Sequence, residues 1–344
     1  QALAFDVVGR KAITYDAHWR GGNYYDDPTG PAHGLSLARK IGHITYLSKE
    51  MMARKFGRAR GGTASEATFH SDFQVESYLE HQGRKFVDRF DANSYLHITH
   101  AMDEFDLIER FGSLEEAFEP VLAKMLVVAL SEDWLFPPEQ SLQIANALLH
   151  AGKHVSYCEL DAPQGHDAFL INVEHLADVI RAFLPWVGPR ARAGHTGSGA
   201  RAAAPGAGER REMQALLDVV PDGSRVIDLG CGDGELLSRL TRVRRISGLG
   251  LEIDLHDILD VIDRGHDVFQ KDIDAGLASI PDQAYDVAIL RETLQEVHKP
   301  RFVLNEMLRV AREGLVTFPN FGKWSHRLYL CTQGRMPKGA ALPF

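Results

Sequence analysis

The amino-acid sequence predicts an α/β protein organised around parallel strands, in two parts joined by a tether. Three observations carry that prediction. Short, wholly apolar runs of buried-strand type alternate with segments of helical period. A glycine-rich turn, Asp228-Leu-Gly-Cys-Gly-Asp-Gly234, sits between one such run and a helical segment. Residues 188–208 are almost entirely Gly, Ala, Pro and Arg, with no large apolar side chain and no acid before Glu209. Such a stretch cannot bury enough surface to offset the entropy of ordering it, so it reads as a flexible linker.

Residues 1–118 have a helical texture. Leu35–Ser48, Phe73–Arg89 and Phe105–Arg110 space their apolar residues as helices do, with many polar interruptions. This is the pattern of a helical layer that covers something else. At Lys124 the texture changes. Met125–Leu130 (MLVVAL) is a strand, Pro137 and Pro138 open a helix over Glu139–His150, and Gly152 stops it. His154–Leu160 is a second strand, followed by the loop DAPQGH and a helix over Asn172–Leu184. Beyond the linker, Arg211–Val220 is helical, Ser224–Leu229 a strand and Glu235–Arg242 a helix. Ile246–Ile253, Asp267–Gln270, Tyr285–Leu290 and Gly314–Phe318 are further strands. Alternation of this kind predicts a doubly wound parallel sheet.

Composition narrows the function classes. The 344 residues are 44% hydrophobic and 25% charged, which excludes a wholly disordered or fibrous chain and predicts about two domains. A net charge of -9 argues against a general nucleic-acid surface. Cys158, Cys231 and Cys331 lie far apart without a CxxC, so neither a disulfide framework nor a zinc site is expected, and the reading is cytoplasmic. No apolar run reaches membrane-spanning length. The chain opens on glutamine with no signal peptide, which reads as a chain cut at its N-terminus.

The first chemical constellation is an acid and a histidine. Asp133 follows the strand Met125–Leu130, and His166 follows the next strand. In open α/β sheets the loops at strand C-termini share one crevice, so the two side chains can meet there. A histidine that takes a proton from a serine, oriented by an acid, is the apparatus of nucleophilic acyl transfer. The chain order Ser, Asp, His requires an upstream serine in a G-x-S-x-G elbow. The sequence contains none. The nearest approach, Gly34-Leu-Ser36-Leu-Ala38, follows no strand, and Ser36 reads as a residue near a helix N-terminus.

Residues 1–187 resemble the C-terminal part of the homoserine O-acyltransferase family. The stretches VVGRKAI (7–13), GLSLARKIGHITYLS (34–48), RKFGR (54–58), FQVESYLEHQG (73–83), FDANSYL (90–96), SEDWLFPP (131–138) and GHDAFL (165–170) carry the likeness. The resemblance implies an α/β-hydrolase fold, with a helical lid in residues 1–118 and the C-terminal hydrolase segment in 119–187. It implies Asp133 and His166 as triad acid and base, and Arg39 and Asp167 as homoserine-binding residues. It places the nucleophilic serine before residue 1, so that this stretch alone is expected to be inactive. It also implies acyl-CoA as co-substrate and a homodimer. Leu135, two residues past the acid, goes with acetyl transfer from acetyl-CoA, because an arginine there would pair with the extra carboxylate of a succinyl group and leucine cannot.

The second constellation is the glycine turn, VIDLGCGDGEL, entered by a strand and left by a helix. Its spacing, D-x-G-x-G-x-G, differs from a dinucleotide fingerprint and resembles class I S-adenosylmethionine-dependent methyltransferases of Rossmann type. By that likeness Asp228, Gly230, Gly232 and Gly234 surround the ligand, Glu252 ends the next strand at the ribose position, and Asp272 lies at the adenine position. More narrowly, residues 209–344 resemble the MetW family of methionine-biosynthesis proteins, through VIDLGCGDGELL, GLGLEID (248–254), QKDID (270–274), DVAILRETLQEVHKP (286–300), VTFPNFGKW (316–324) and GRMPKGAALP (334–343). The expected whole is an acyltransferase joined to its MetW-like partner, with an intramolecular contact between them. The C-terminal domain is expected to stop short of its last strands. The alternatives are a methyltransferase, or a non-catalytic regulatory module whose glycine turn serves folding alone.

Overall fold

The computed structural model describes residues 2–61, 73–171, 173–188, 207–318, 322 and 324–334. Most of the linker stretch, Asn320, Phe321 and the GRMPKGAALP segment beyond Gly334 lie outside the described residues. The chain forms two compact units that do not follow chain order. Unit 1 comprises 1–121, 128–147 and 159–173; unit 2 comprises 122–127, 148–158 and 174–344.

Unit 1 opens with helices α1 (Ala2–Thr14), α2 (Ala32–Tyr46), α3 (Lys49–Lys55), α4 (Gln74–Val87) and α5 (Ala92–Asp103). Two one-turn helices follow, α6 (Leu107–Phe111) and α7 (Leu114–Phe118). Their starts are chemically marked. Ser48, Asp91, Asp106 and Ser113 each accept a backbone N–H from the first turn they precede. The amphipathic faces meet around Ile13, Tyr24, Leu35, Ala38, Phe86 and Ala92. The helical layer therefore has a small core of its own, where the polar interruptions had suggested only a cover. α1 and α2 pack closely because Gly34 has no side chain. A Cβ there would stand 2.7 Å from the Ile13 Cα.

Strands β1 (Met125–Leu130) and β2 (Val155–Leu160), with α8 (Pro138–His150) between them, contribute to both units. The bonds Met125 N–His154 O (2.9 Å) and Ser131 N–Leu160 O (3.0 Å) join start to start and end to end, so this pair is parallel. The helix expected over Asn172–Leu184 is α10 (Val173–Phe183), and a short helix, α9 (Ala168–Ile171), precedes the expected range.

Unit 2 adds α11 (Ala207–Val219), β3 (Arg225–Leu229), α12 (Glu235–Arg244), β4 (Ser247–Glu252), α13 (Leu255–Asp263) and β5 (Asp267–Gln270). It closes with β6 (Tyr285–Arg291), α14 (Pro300–Val310), β7 (Ala311–Thr317) and α15 (Trp324–Gln333). Its strands lie in the order β1-β2-β5-β4-β3-β6-β7. β4 pairs in parallel with β3 and β5, and β6 with β3 and β7. Counted from β3 as the first strand, the last five read 3-2-1-4-5, a doubly wound sheet whose order reverses beside β3. The glycine turn leaves β3 at that reversal. Val226, Ile227, Leu229, Leu237, Leu240, Ile289 and Leu290 are fully buried along the central strands and α12. β7 begins at Ala311, three residues before the expected Gly314, because α14 ends directly into it.

Gly34→Ala is expected to lower the stability of unit 1 by about 1–3 kcal/mol, the usual cost of overpacking. Urea unfolding followed by helical circular dichroism reads this as an earlier first transition with the glycine-turn fold unaffected.

Candidate functional sites

The first site is assembled by loops at the C-terminal ends of β1 and β2. Asp133 is buried, and both its oxygens are engaged. Oδ1 accepts the backbone N–H of Leu135 (3.0 Å) and of Phe136 (2.9 Å), and Oδ2 faces His166 Nδ1 at 2.8 Å. The two amides hold the carboxylate so that its second oxygen points at the imidazole. His166 keeps about a quarter of its side chain exposed. Its ring lies among Tyr46 (5.7 Å between centroids), Phe136 (5.3 Å) and Phe169 (5.7 Å). With Nδ1 tied to Asp133, the reactive nitrogen is Nε2.

The His166 loop is pinned from below. Ser48 N donates to Gln164 O at 3.1 Å, and Ser48 Oγ donates to Pro163 O. Gly165 adopts φ +86°, and a Cβ there would lie 2.5 Å from Ser48 N, so only glycine fits this turn. On the other side Trp134 Nε1 donates to Leu47 O at 3.2 Å. The α2–α3 junction thus fastens both loops that carry the dyad.

Arg39 and Asp167 converge on one residue that sequence reasoning passed over. The Arg39 guanidinium lies over the faces of Tyr46 (5.3 Å) and Phe86 (4.8 Å) and donates to the Tyr46 hydroxyl at 3.3 Å. The Asp167 N–H donates to Tyr46 O at 3.3 Å. Tyr46 therefore touches Arg39, Asp167 and His166 together. The available signal was its spacing: residues 39 and 46 are two helical turns apart on one face of α2. Tyr78 and His43 flank the same cluster. The Tyr78 hydroxyl lies 3.3 Å from His43 Nδ1. Burial pushes the Tyr78 hydroxyl up, with the Asp167 charge adding to it and Arg39 opposing. Burial, with Arg39 and Lys55 nearby, lowers His43 to about 4, so it is neutral near pH 7. Leu135 is half-buried beside the acid, and its amide belongs to the cradle of Asp133. Ser36 lies inside α2.

The second site lies in unit 2. Gly230, Gly232 and Gly234 all have positive φ (78°, 53° and 75°), the geometry their spacing predicts for a sharp strand-to-helix turn. Gly230 N and Cys231 N donate to Leu251 O, which ties the turn to β4. Glu252 folds back on its own neighbourhood: Oε2 accepts Gly232 N (2.8 Å), and Oε1 accepts Ile253 N (2.7 Å) and Asp254 N (3.0 Å). Asp272 caps a one-turn helix by accepting Asp274 N at 2.8 Å. Asp228 is 1% exposed, and its Oδ1 has no hydrogen-bond partner among the described residues. Burial raises it to about 7, Glu252 adding to the shift and Arg291 opposing it. Asp257 rises to about 6, first by burial and then by the charges of Glu252, Asp254, Asp233 and Asp260. Carboxylates gathered near a glycine turn favour a cationic ligand.

Residues 210–344 match the family model described as methionine biosynthesis protein MetW. Over 348 aligned positions the chain is 41% identical to the bifunctional methionine biosynthesis protein MetXA/MetW of Rhodopirellula baltica, covering 98% of this chain and 54% of that protein. It is 45% identical over 190 residues to a homoserine O-acetyltransferase of Rhodopseudomonas palustris (55% of this chain, 48% of the relative). It is 50% identical over 186 residues to a homoserine O-succinyltransferase of Acidithiobacillus ferrooxidans (54% and 49%). The chain spans about half the length of the curated relatives it matches. Among the described residues, no helix is long and apolar enough to cross a membrane.

The raised Asp228 carboxyl gives unit 2 a pH signature. An acid whose folded pKa exceeds its unfolded value of about 4 contributes stability below that value and loses it as pH rises. The loss is expected to run from about pH 4 through about 7. Asp228→Asn should flatten that part of the profile, so that wild type and variant differ more at pH 8 than at pH 5 in urea midpoints.

Proposed function

We propose that this chain is part of a bifunctional methionine-biosynthesis protein, a homoserine O-acetyltransferase joined to a MetW-like partner. The observation that carries the reading is the oriented Asp133–His166 pair beside the Arg39–Tyr46–Asp167 cluster. The chain is also 45% and 50% identical over 190 and 186 residues to two homoserine O-acyltransferases, and the bifunctional relative aligns along 98% of the chain.

In this reading His166 Nε2 takes the proton of a serine hydroxyl as the oxygen attacks the thioester carbonyl of acetyl-CoA. The coenzyme A thiolate leaves with that proton, and an acetyl-serine remains. His166 then removes the proton of the homoserine hydroxyl, which attacks the acetyl-serine. The proton returns to the serine, and O-acetyl-L-homoserine departs. Asp133 keeps the imidazole in the Nδ1–H tautomer and stabilises its cation in both halves. Arg39 grips the homoserine carboxylate with its planar fork, and Asp167 holds the ammonium. Tyr46, stacked under Arg39 and against His166, sets the distance between the grip and the base.

No G-x-S-x-G occurs in the sequence and Ser36 is helical, so in this reading these residues alone do not transfer acyl groups. Leu135 beside the acid supports acetyl over succinyl: it offers no charge to a second carboxylate. The relatives bear both names. The same resemblance extends to a cytoplasmic homodimer without nucleic-acid or membrane partners.

The glycine turn, with carboxylates gathered near it, supports a second role for unit 2, binding S-adenosylmethionine through its sulfonium and ammonium charges, as a methyltransferase or as a ligand-sensing regulatory module. Titration calorimetry with S-adenosylmethionine tests it: saturable heat that Glu252→Gln weakens supports binding, and no heat at millimolar ligand leaves the turn as a folding element.

In a protein carrying these residues together with a nucleophilic serine, Asp133→Asn is expected to lower kcat by about 10³–10⁴-fold with little change in KM. Arg39→Lys should raise KM for homoserine more than it lowers kcat, because a point charge replaces the fork. Parallel rates with acetyl-CoA and succinyl-CoA decide the donor; a succinyl preference would remove the argument from Leu135.

A further inference from the structure

Strand β5 is only four residues long, and one edge of it is covered by β4. Its other edge is covered by β2, in parallel, with Tyr157 opposite Phe269. A parallel pair cannot be enforced by a short turn; it needs a crossover, and here the crossover runs from residue 160 to residue 267. The seam must therefore be specified by what its own residues do.

Those residues form a polar clasp around a dry centre. His154 Nδ1 meets Asp267 Oδ2 at 2.8 Å, and Lys124 Nζ lies 3.6 Å from Asp267 Oδ1. The Lys124 ammonium also donates to Gly265 O at 2.9 Å. His150 Nε2 lies 2.7 Å from Ser279 O. Inside the clasp Ser156, fully buried, accepts the Val268 N–H through its hydroxyl at 3.3 Å. Val155, Cys158 and Val268 are inaccessible, and the rings of Tyr157 and Phe269 lie 6.0 Å apart. One carboxylate, Asp267, thus receives two basic groups that precede the linker in sequence, 113 or more positions away. An uncovered strand edge is a row of unpaired N–H and C=O groups. Here the edge is occupied by a strand with complementary charge.

We propose that the β2–β5 seam is a self-sufficient docking interface: the edge of β5, with Asp267 as its charged mark, recognises the edge of β2 with Lys124 and His154, and holds residues 207–344 to the preceding chain without help from the covalent tether. The tether then serves to raise local concentration. The occupant of the β5 edge is β2 of this chain. This rests on the reading of the chain as two joined parts, and it is independent of whether acyl transfer occurs.

A specific protease site placed between residues 195 and 200 of the full chain tests it. After cleavage the two pieces are expected to co-elute on size exclusion as one species. Asp267→Lys, which sets like charges against Lys124, should make them elute apart after cleavage. The swap Lys124→Asp with Asp267→Lys should restore co-elution, a result that misfolding of the single variant would not give. Separation of the wild-type pieces, or a single variant that co-elutes like wild type, or a swap that fails to restore association, would overturn the proposal. The readout is association alone and does not involve acyl transfer, so the seam and the functional reading fail separately.

Discussion

The parallel pairing of β1 with β2 is the constraint on which the first site depends. Asp133 and His166 are 33 positions apart and belong to different loops. They meet because both strands point the same way and deliver their C-terminal ends to one place. The remaining precision comes from backbone groups. Two amides fix the carboxylate of Asp133, and the α2–α3 junction fastens the loops on either side. None of these anchors is itself chemical apparatus, yet each removes a freedom that would let the imidazole turn away. Preorganisation of this kind is where an acid–base pair gets its effect.

The two sites solve opposite electrostatic problems. Around His166 both signs of charge occur: Asp133 on one nitrogen, Arg39 over Tyr46, and Asp167 next in the chain, its N–H on Tyr46 O. That pattern suits a zwitterionic amino acid. Around the glycine turn the carboxylates accumulate instead, with Asp228 and Asp257 both raised by burial and by one another's neighbours. A cluster like that costs stability at neutral pH unless a cation joins it. Glu252 already spends its oxygens on Gly232, Ile253 and Asp254, so a ligand that needs its carboxylate must compete with these bonds.

Legibility followed locality. β1 and β5 match the expected strands residue for residue, β1 because its whole length is apolar. That Asp133 and His166 could meet was legible from strand-end logic, and the positive φ of the three glycines from their spacing. Tyr46 was not singled out, because a tyrosine on an amphipathic helix is ordinary and its value comes from what lies across from it. The early start of β7 was missed, since no proline or glycine marks it. The β2–β5 pairing had no local signal at all: Tyr157 and Phe269 meet across more than a hundred residues, and periodicity is silent on which edges join.

Asp133 holds His166 by Nδ1, which leaves Nε2 to move protons. Nitrogen-15 NMR of the isotopically labelled chain reads that directly. The prediction is a His166 imidazole in the neutral Nδ1–H tautomer at high pH, with a downfield Nδ1 proton that disappears in Asp133→Ala. A His166 found as the Nε2–H tautomer, or one whose spectrum is indifferent to Asp133→Ala, would contradict it.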